Sequence, residues 1–219
     1  MPAADHATYL GSVCDSLAVK YPDNEIINVV CHGHSVPAGY FATPYVKTFS
    51  SYPHLLHRMI KERFPFAVAN VIVTGIGGEG PVDGAARFVR DALSHSPRVV
   101  TINYGHRTGG PGGEADSGAW RRMIERALED GVKVILVTPI YTNAYYLQDE
   151  TWDAIVRAAA AIRELADGYG VGLADAFAAF GRHMAAGGNL ANLLSHVNHP
   201  TELGHELIAL ELGKYFIAR

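Results

Sequence analysis

Ile26-Ile27-Asn28-Val29-Val30-Cys31-His32-Gly33-His34-Ser35 decides how this chain is read. Up to Cys31 the run is apolar and rich in β-branched residues, the pattern of a buried strand, and Gly33 stops it. Glycine has no Cβ to clash in a tight turn. Such a turn lifts Ser35 to the carboxyl end of the strand, where open α/β sheets place their ligands. A serine held there is a nucleophile if a base lies within hydrogen-bond reach. Taken alone, Gly-x-Ser is also an ordinary strand end, so the rest of the chain decides.

Outward from this stretch, strands and helices alternate. The spacing predicts a helix over about Asp5 to Lys20 and strand one at Ile26 to Cys31. An irregular aromatic loop follows over Pro37 to Ser50, carrying Tyr40, Phe41, Tyr45 and Phe49. A second helix is predicted over about Tyr52 to Arg63, and strand two over Val68 to Thr74. Strand two runs into the glycine-rich loop Gly75-Ile76-Gly77-Gly78-Glu79-Gly80. Helix three follows at about Val82 to Leu93, strand three at Arg98 to Asn103, and helix four at about Ala115 to Glu129. Strand four is Val132 to Thr138, helix five about Thr151 to Ala166, and a short strand Val171 to Ala174. A short helix over about Ala176 to Ala186 and a last one over about Thr201 to Ile217 close the pattern. The alternation predicts one α/β domain over residues 1–219, with a parallel sheet and helices on both faces. The loops after strands one, two and three then emerge on one edge and bring Ser35, the Gly75–Gly80 run and His106 together.

Composition bounds the reading. The chain has 219 residues, 48% of them hydrophobic, which suffices for one sizeable core. A formal charge of −4 without a basic run argues against a nucleic-acid partner. No apolar run is long enough to span a bilayer, so no membrane partner is expected. Met1 to Leu10 lacks the basic start and apolar centre of a signal peptide, and two cysteines make no disulfide framework. The expectation is a cytoplasmic protein. Of the 11 histidines, His32, His34, His106, His196 and His199 fall at strand ends and turns, where an imidazole can serve as base or ligand.

Acyl transfer from a serine needs a nucleophile, a base, and donors for the oxyanion that develops on the carbonyl. Ser35 supplies the nucleophile and, through its own N–H, one donor. Gly78 supplies a second, since a glycine lets the backbone approach a reacting carbonyl. The glycine run lacks a lysine and places Glu79 against any phosphate, so it fits neither a P-loop nor a dinucleotide fingerprint. His199, in Ser195-His196-Val197-Asn198-His199-Pro200, is the candidate base, with Pro200 restricting its backbone.

In this order and spacing the chain resembles the SGNH hydrolases, also called GDSL-type esterases and lipases, over nearly its whole length. Gly33-His34-Ser35 stands where that family has Gly-Asp-Ser, Gly75-Ile76-Gly77-Gly78 matches its second block, and His196-Val197-Asn198-His199-Pro200 matches part of Asp-x-x-His-Pro. The resemblance is to a bacterial branch with Gly-His-Ser. It implies a three-layer α/β/α, flavodoxin-like fold with a parallel sheet of about five strands, and a serine esterase that needs no cofactor and no metal. Three departures bear on mechanism. His34 replaces an aspartate that is not the nucleophile. The third-block asparagine corresponds to His106 in Tyr104-Gly105-His106-Arg107, with Asn103 as the alternative donor. The triad aspartate is replaced by His196, so the expectation is a Ser35–His199 dyad, or a triad whose third member is His196, a carbonyl, Asn198 or Asp175. The substrate expected is a small-molecule or saccharide ester, first of all an O-acetyl group on carbohydrate. An acyltransferase or thioesterase would use the same residues, and a carbohydrate-binding protein without catalysis is the rival from another class. A metal site among Cys31, His32, His34, His196 and His199 is a further alternative. Arg107 and Glu79 flank the expected hole, either to bind a charged substrate or to pair with each other.

Overall fold

Strand β1 (Ile26–Gly33) runs through a five-stranded sheet of order β2-β1-β3-β4-β5. Its neighbours are β2 (Val68–Val73) and β3 (Val99–Asn103); β4 (Lys133–Val137) and β5 (Gly172–Ala174) follow, and every pairing is parallel. The computed structural model describes residues 2–105, 114–143 and 149–217. Helices cover both faces, so the expected α/β/α layering is what the chain forms.

The order follows from handedness. Parallel crossovers are right-handed, so moving from β1 outward to β2 and then back across to β3 puts the two connections on opposite faces. Helix α3 (Tyr52–Arg63) packs Leu55, Leu56 and Ile60 on the face carrying Ile27, Val29 and Cys31. Helix α4 (Pro81–Asp91) packs Phe88 on the face carrying Val30. Because the winding reverses between β1 and β3, their following loops part and leave a crevice at the carboxyl edge. Ser35 is two residues beyond β1, at that crevice.

Two cores result. One lies under α3, α1 (Gly11–Ala18) and α9 (Glu202–Gly213), with Leu17, Tyr52, Phe180, Leu212 and Phe216 buried. The other lies under α4, α5 (Glu114–Glu129) and α6 (Asp149–Tyr169), with Phe88, Tyr104, Trp120 and Ile162 buried. Burying one such side chain stabilises the fold by about 1.5–3 kcal/mol. Strand pleat explains the division, since successive side chains point to opposite faces. Cys31 and His32 therefore face opposite cores, which removes the metal alternative built on both. Among the described residues, no group of three potential metal ligands comes together. No described helix is long and apolar enough to cross a membrane.

Several boundaries differ from the sequence reading. The first helix shortens to Gly11–Ala18, because the Asp5 carboxylate accepts the Ala7 N–H and the Thr8 hydroxyl and ties residues ahead of it into turns. The last helix stops at Gly213, where the Arg63 guanidinium caps the Gly213 and Phe216 carbonyls. Two one-turn helices, α2 (Ser35–Ala38) and α8 (Leu190–Leu193), have no counterpart in the periodicity. The ten-residue helix α7 (Ala176–Ala185) begins where expected, with Asp175 capping it through the Ala178 N–H.

Candidate active site

The nucleophile turn is built by close approach. A Cβ on Gly33 would lie 2.4 Å from the Asn103 carbonyl oxygen of β3. Gly33 is therefore required by the tight β1–β3 contact, not by a left-handed backbone, which is a different reason from the turn argument above. The left-handed residue is Gly39, φ +87°, which ends α2. Where the family more often has aspartate, the His34 Nδ1 accepts the Val36 N–H at 3.1 Å. The imidazole thus caps α2 as a short carboxylate would, and to accept it must carry no proton on Nδ1.

Ser35 is half-buried and its hydroxyl lies 3.1 Å from His199 Nε2. On the other side of the ring, His199 Nδ1 lies 3.0 Å from the Phe41 carbonyl oxygen. A carbonyl only accepts, so the ring proton is on Nδ1 and Nε2 is left to accept the serine proton. The Phe41 carbonyl is held by its own turn, with the Phe41 N–H donating to Tyr45 at 2.9 Å and the Lys47 N–H to Gly39 at 2.7 Å. His199 is held as firmly. Its carbonyl accepts from both the N–H and the hydroxyl of Ser195, and Leu194 bridges Pro200. Thr201 then caps α9 through the Gly204 N–H.

The structure thus brings Ser35 and His199 together and gives the orienting place at Nδ1 to a main-chain carbonyl. His196 is exposed and does not fill that place. Asp175 is occupied elsewhere, forked by Arg163 at 2.8 and 3.0 Å. Asn103 ends β3 buried, and its main chain receives the His34 N–H at 3.2 Å. Its side chain shares the buried polar cluster of Tyr52 and Thr101 beneath the sheet edge. His106 and Arg107 lie outside the described residues.

The glycine-rich loop lies directly on the nucleophile turn. The Ile76 N–H donates to Gly33 at 3.0 Å, and a Cβ on Gly75 would meet the His34 carbonyl oxygen at 2.7 Å. Gly78 has φ +79° with open space around it, so glycine is needed there for the backbone angle and not for room. The expected Glu79–Arg107 pair lies outside the described residues, and Glu79 is held within the fold. Its carboxylate is gripped by Arg87 of α4, whose side chain is 8% exposed against 9% for Glu79. This pair could have been suspected from sequence, because Arg87 sits one residue before Phe88 on the inward face of α4. An arginine there requires a buried acceptor.

Burial holds the pKa of His199 below its ordinary value, opposed by the Phe41 carbonyl and aided by the positive form of His196. The neutral ring is the form that accepts a proton. Activity that depends on it is present above its pKa and lost as pH falls through it. The acid limb of kcat/KM is expected below pH 6.5, the ordinary histidine value. A limb at or above that value, measured on a short-chain nitrophenyl ester, would contradict this assignment.

The sequence profile of the GDSL-like lipase/acylhydrolase family matches residues 31–207, which reach from the end of β1 into α9. The chain belongs to the GDSL-like lipase/acylhydrolase family. It is accordingly a serine hydrolase acting on carboxylic esters. Solved structures share the fold of this GDSL-like chain. A catalytic mutant of an acetylxylan esterase from Geobacillus stearothermophilus superposes with a TM-score of 0.73 and 18% identity, over 89% of this chain and 94% of that one. An alpha/beta hydrolase enzyme from the metagenome of Lake Arreo gives 0.72 and 21% identity, over 87% and 96%. A 52-residue segment is 44% identical to a 4-hydroxy-tetrahydrodipicolinate synthase from Xanthomonas campestris. The match spans 24% of the GDSL-like chain and 17% of that synthase, and carries no functional argument.

Proposed function

We propose that the protein hydrolyses small acyl esters through Ser35 and His199, with O-acetyl groups on carbohydrate as its substrate class. The observation that carries this reading is the 3.1 Å contact of Ser35 Oγ with a His199 ring whose other nitrogen is fixed on Phe41. In the first half-reaction His199 Nε2 takes the Ser35 proton as Oγ attacks the ester carbonyl. The Ser35 and Gly78 N–H groups, with His106, receive the oxyanion. Collapse breaks the bond to the alcohol, which leaves with the proton from Nε2. Water then repeats the sequence on the acyl-serine, and the carboxylic acid departs. The metal-free, cofactor-free chemistry follows from these groups alone.

The missing triad carboxylate matters less than its absence suggests. In serine proteases, exchanging that aspartate for asparagine lowers turnover ~10⁴-fold because it favours the wrong tautomer. The Phe41 carbonyl favours the right one, so only the charge on the developing imidazolium goes uncompensated.

Carbohydrate as the alcohol is supported by the aromatic loop whose Phe41 carbonyl holds His199. Tyr40 stands 5.7 Å from His199 between ring centroids, and Tyr45 and Phe49 on the same loop are 67% and 85% exposed. Flat exposed rings stack on sugar faces. The acetylxylan esterase with the same fold is a second support. Acetylated xylo-oligosaccharides and nitrophenyl acetate, butyrate and octanoate test the reading together. Acetate release from the sugar, with kcat/KM falling at least ~10-fold from acetate to octanoate, is expected, since each misplaced methylene is worth about 1–3 kcal/mol. Preference for octanoate, with no acetate freed from the oligosaccharide, would contradict it.

A further inference from the structure

A buried polar network lies directly beneath the site, and the chemistry above does not use it. Arg87 Nε donates to both carboxylate oxygens of Glu79, at 2.7 and 2.9 Å, and its second nitrogen reaches Glu79, Tyr104 and the Gly33 carbonyl. The Tyr104 hydroxyl donates to Glu79 at 2.9 Å and lies 3.1 Å from His32 Nε2. His32 in turn contacts the Gly84 carbonyl at 3.1 Å and the Thr74 hydroxyl at 2.8 Å.

The members of this network are not scattered. His32 and Gly33 end β1, three and two residues before Ser35. Thr74 follows β2, Tyr104 follows β3, and Arg87 comes from α4. Glu79 is the residue after Gly78. The buried ion pair and its neighbours therefore join the carboxyl ends of β1, β2 and β3 to the loop that carries Gly78. Burying a charge pair is expensive, and apolar packing would stabilise the region as well or better. What apolar packing lacks is directional bonds that anchor Glu79 and so fix the backbone one residue back, at the Gly77–Gly78 peptide that carries the Gly78 N–H.

We propose that Glu79 is a positioning residue, holding the Gly78 amide in line for the oxyanion through its bonds to Arg87 and Tyr104. This rests on the esterase reading of Ser35 and His199. Electrostatics alone makes the opposite prediction. A carboxylate beside the hole repels an oxyanion, so removing its charge would speed the reaction if Glu79 acted through its field. If it acts by position, removing its bonds slows the reaction and leaves ester binding alone.

The experiment compares kcat and KM on nitrophenyl acetate for the wild type, Glu79→Gln and Tyr104→Phe. Active serines are counted by stoichiometric fluorophosphonate titration, so that kcat refers to folded sites. Loss of one oxyanion donor costs ~10²–10³ in kcat. Glu79→Gln is expected to approach a ~10²-fold loss with KM within a few-fold. Tyr104→Phe keeps the ion pair and is expected to lose ~10-fold, again in kcat, and it decides the matter if Glu79→Gln does not fold. Wild-type or raised kcat in the folded variants, or a change confined to KM, overturns the inference while the esterase reading stands. Absence of turnover by the wild type overturns both.

Discussion

Ser35→Ala is expected to abolish turnover of nitrophenyl acetate, with a loss of at least ~10⁴-fold in kcat, and His199→Ala is expected to come close to it. The two residues act as a unit. Nε2 is within 3.1 Å of Oγ, so either deletion removes the same proton transfer. The double variant should therefore lose about as much as the worse single variant, not the product of the two. Residual rate above buffer would come from the main-chain donors, which neither substitution removes. His196→Ala discriminates the orienting partner. Because Phe41 holds Nδ1, this change should cost less than ~10-fold in kcat. A loss as large as that of His199→Ala would show that His196 performs the orienting role instead.

The second large effect is on stability against acid. Burial lowers the pKa of His32 to about 4, with Arg87 adding to the effect, and burial lowers that of His205 to about 3, with His199 adding. Both rings are neutral in the fold and regain 6.5 on unfolding. Below pH 6.5 the unfolded chain binds protons that the folded chain refuses. The stability is thus complete above 6.5 and declines as pH falls toward the folded values. Well below pH 6.5 each group contributes a slope approaching about 1.4 kcal/mol per pH unit, and the two together remove about 3 kcal/mol between pH 6.5 and 5. The depressed carboxylates act lower. Asp91, held down to about 2 chiefly by Arg90, loses its contribution only as pH falls from its ordinary 3.8. Urea unfolding at pH 7 and pH 5 measures the difference. His205→Asn keeps an acceptor for the Tyr52 N–H, which His205 Nδ1 receives at 3.2 Å, and should remove about half of the pH dependence. Equal stability at the two pH values would contradict the account.

The fold was legible because its signals are strong and local. Buried parallel strands read as continuous apolar runs, and α3 is marked by its apolar stripe and by Phe64-Pro65 at its end. The pairing of Ser35 with His199 could also be anticipated, since topology brings strand ends and the start of α9 to one edge. The orienting partner could not be identified. A main-chain carbonyl is the same in every residue, and nothing in Phe41 marks its oxygen as the one that faces a ring. His34 was misleading in a different way. It reads as a lost aspartate, yet its Nδ1 performs the cap that an Asp oxygen would. Glu79 was visible as a charge near the hole, but its partner lies eight residues on, in α4, and only the helix face occupied by Arg87 hints at it.

The central claim is that Ser35 carries the acyl group and that His199 activates it. The most direct measurement is fluorophosphonate labelling of the folded protein, with the labelled peptide located by mass spectrometry. The account predicts a single modified residue, Ser35, with no labelling in Ser35→Ala and labelling slowed at least ~10²-fold in His199→Ala. Modification at another serine, or labelling of Ser35 at an unchanged rate without His199, would contradict it.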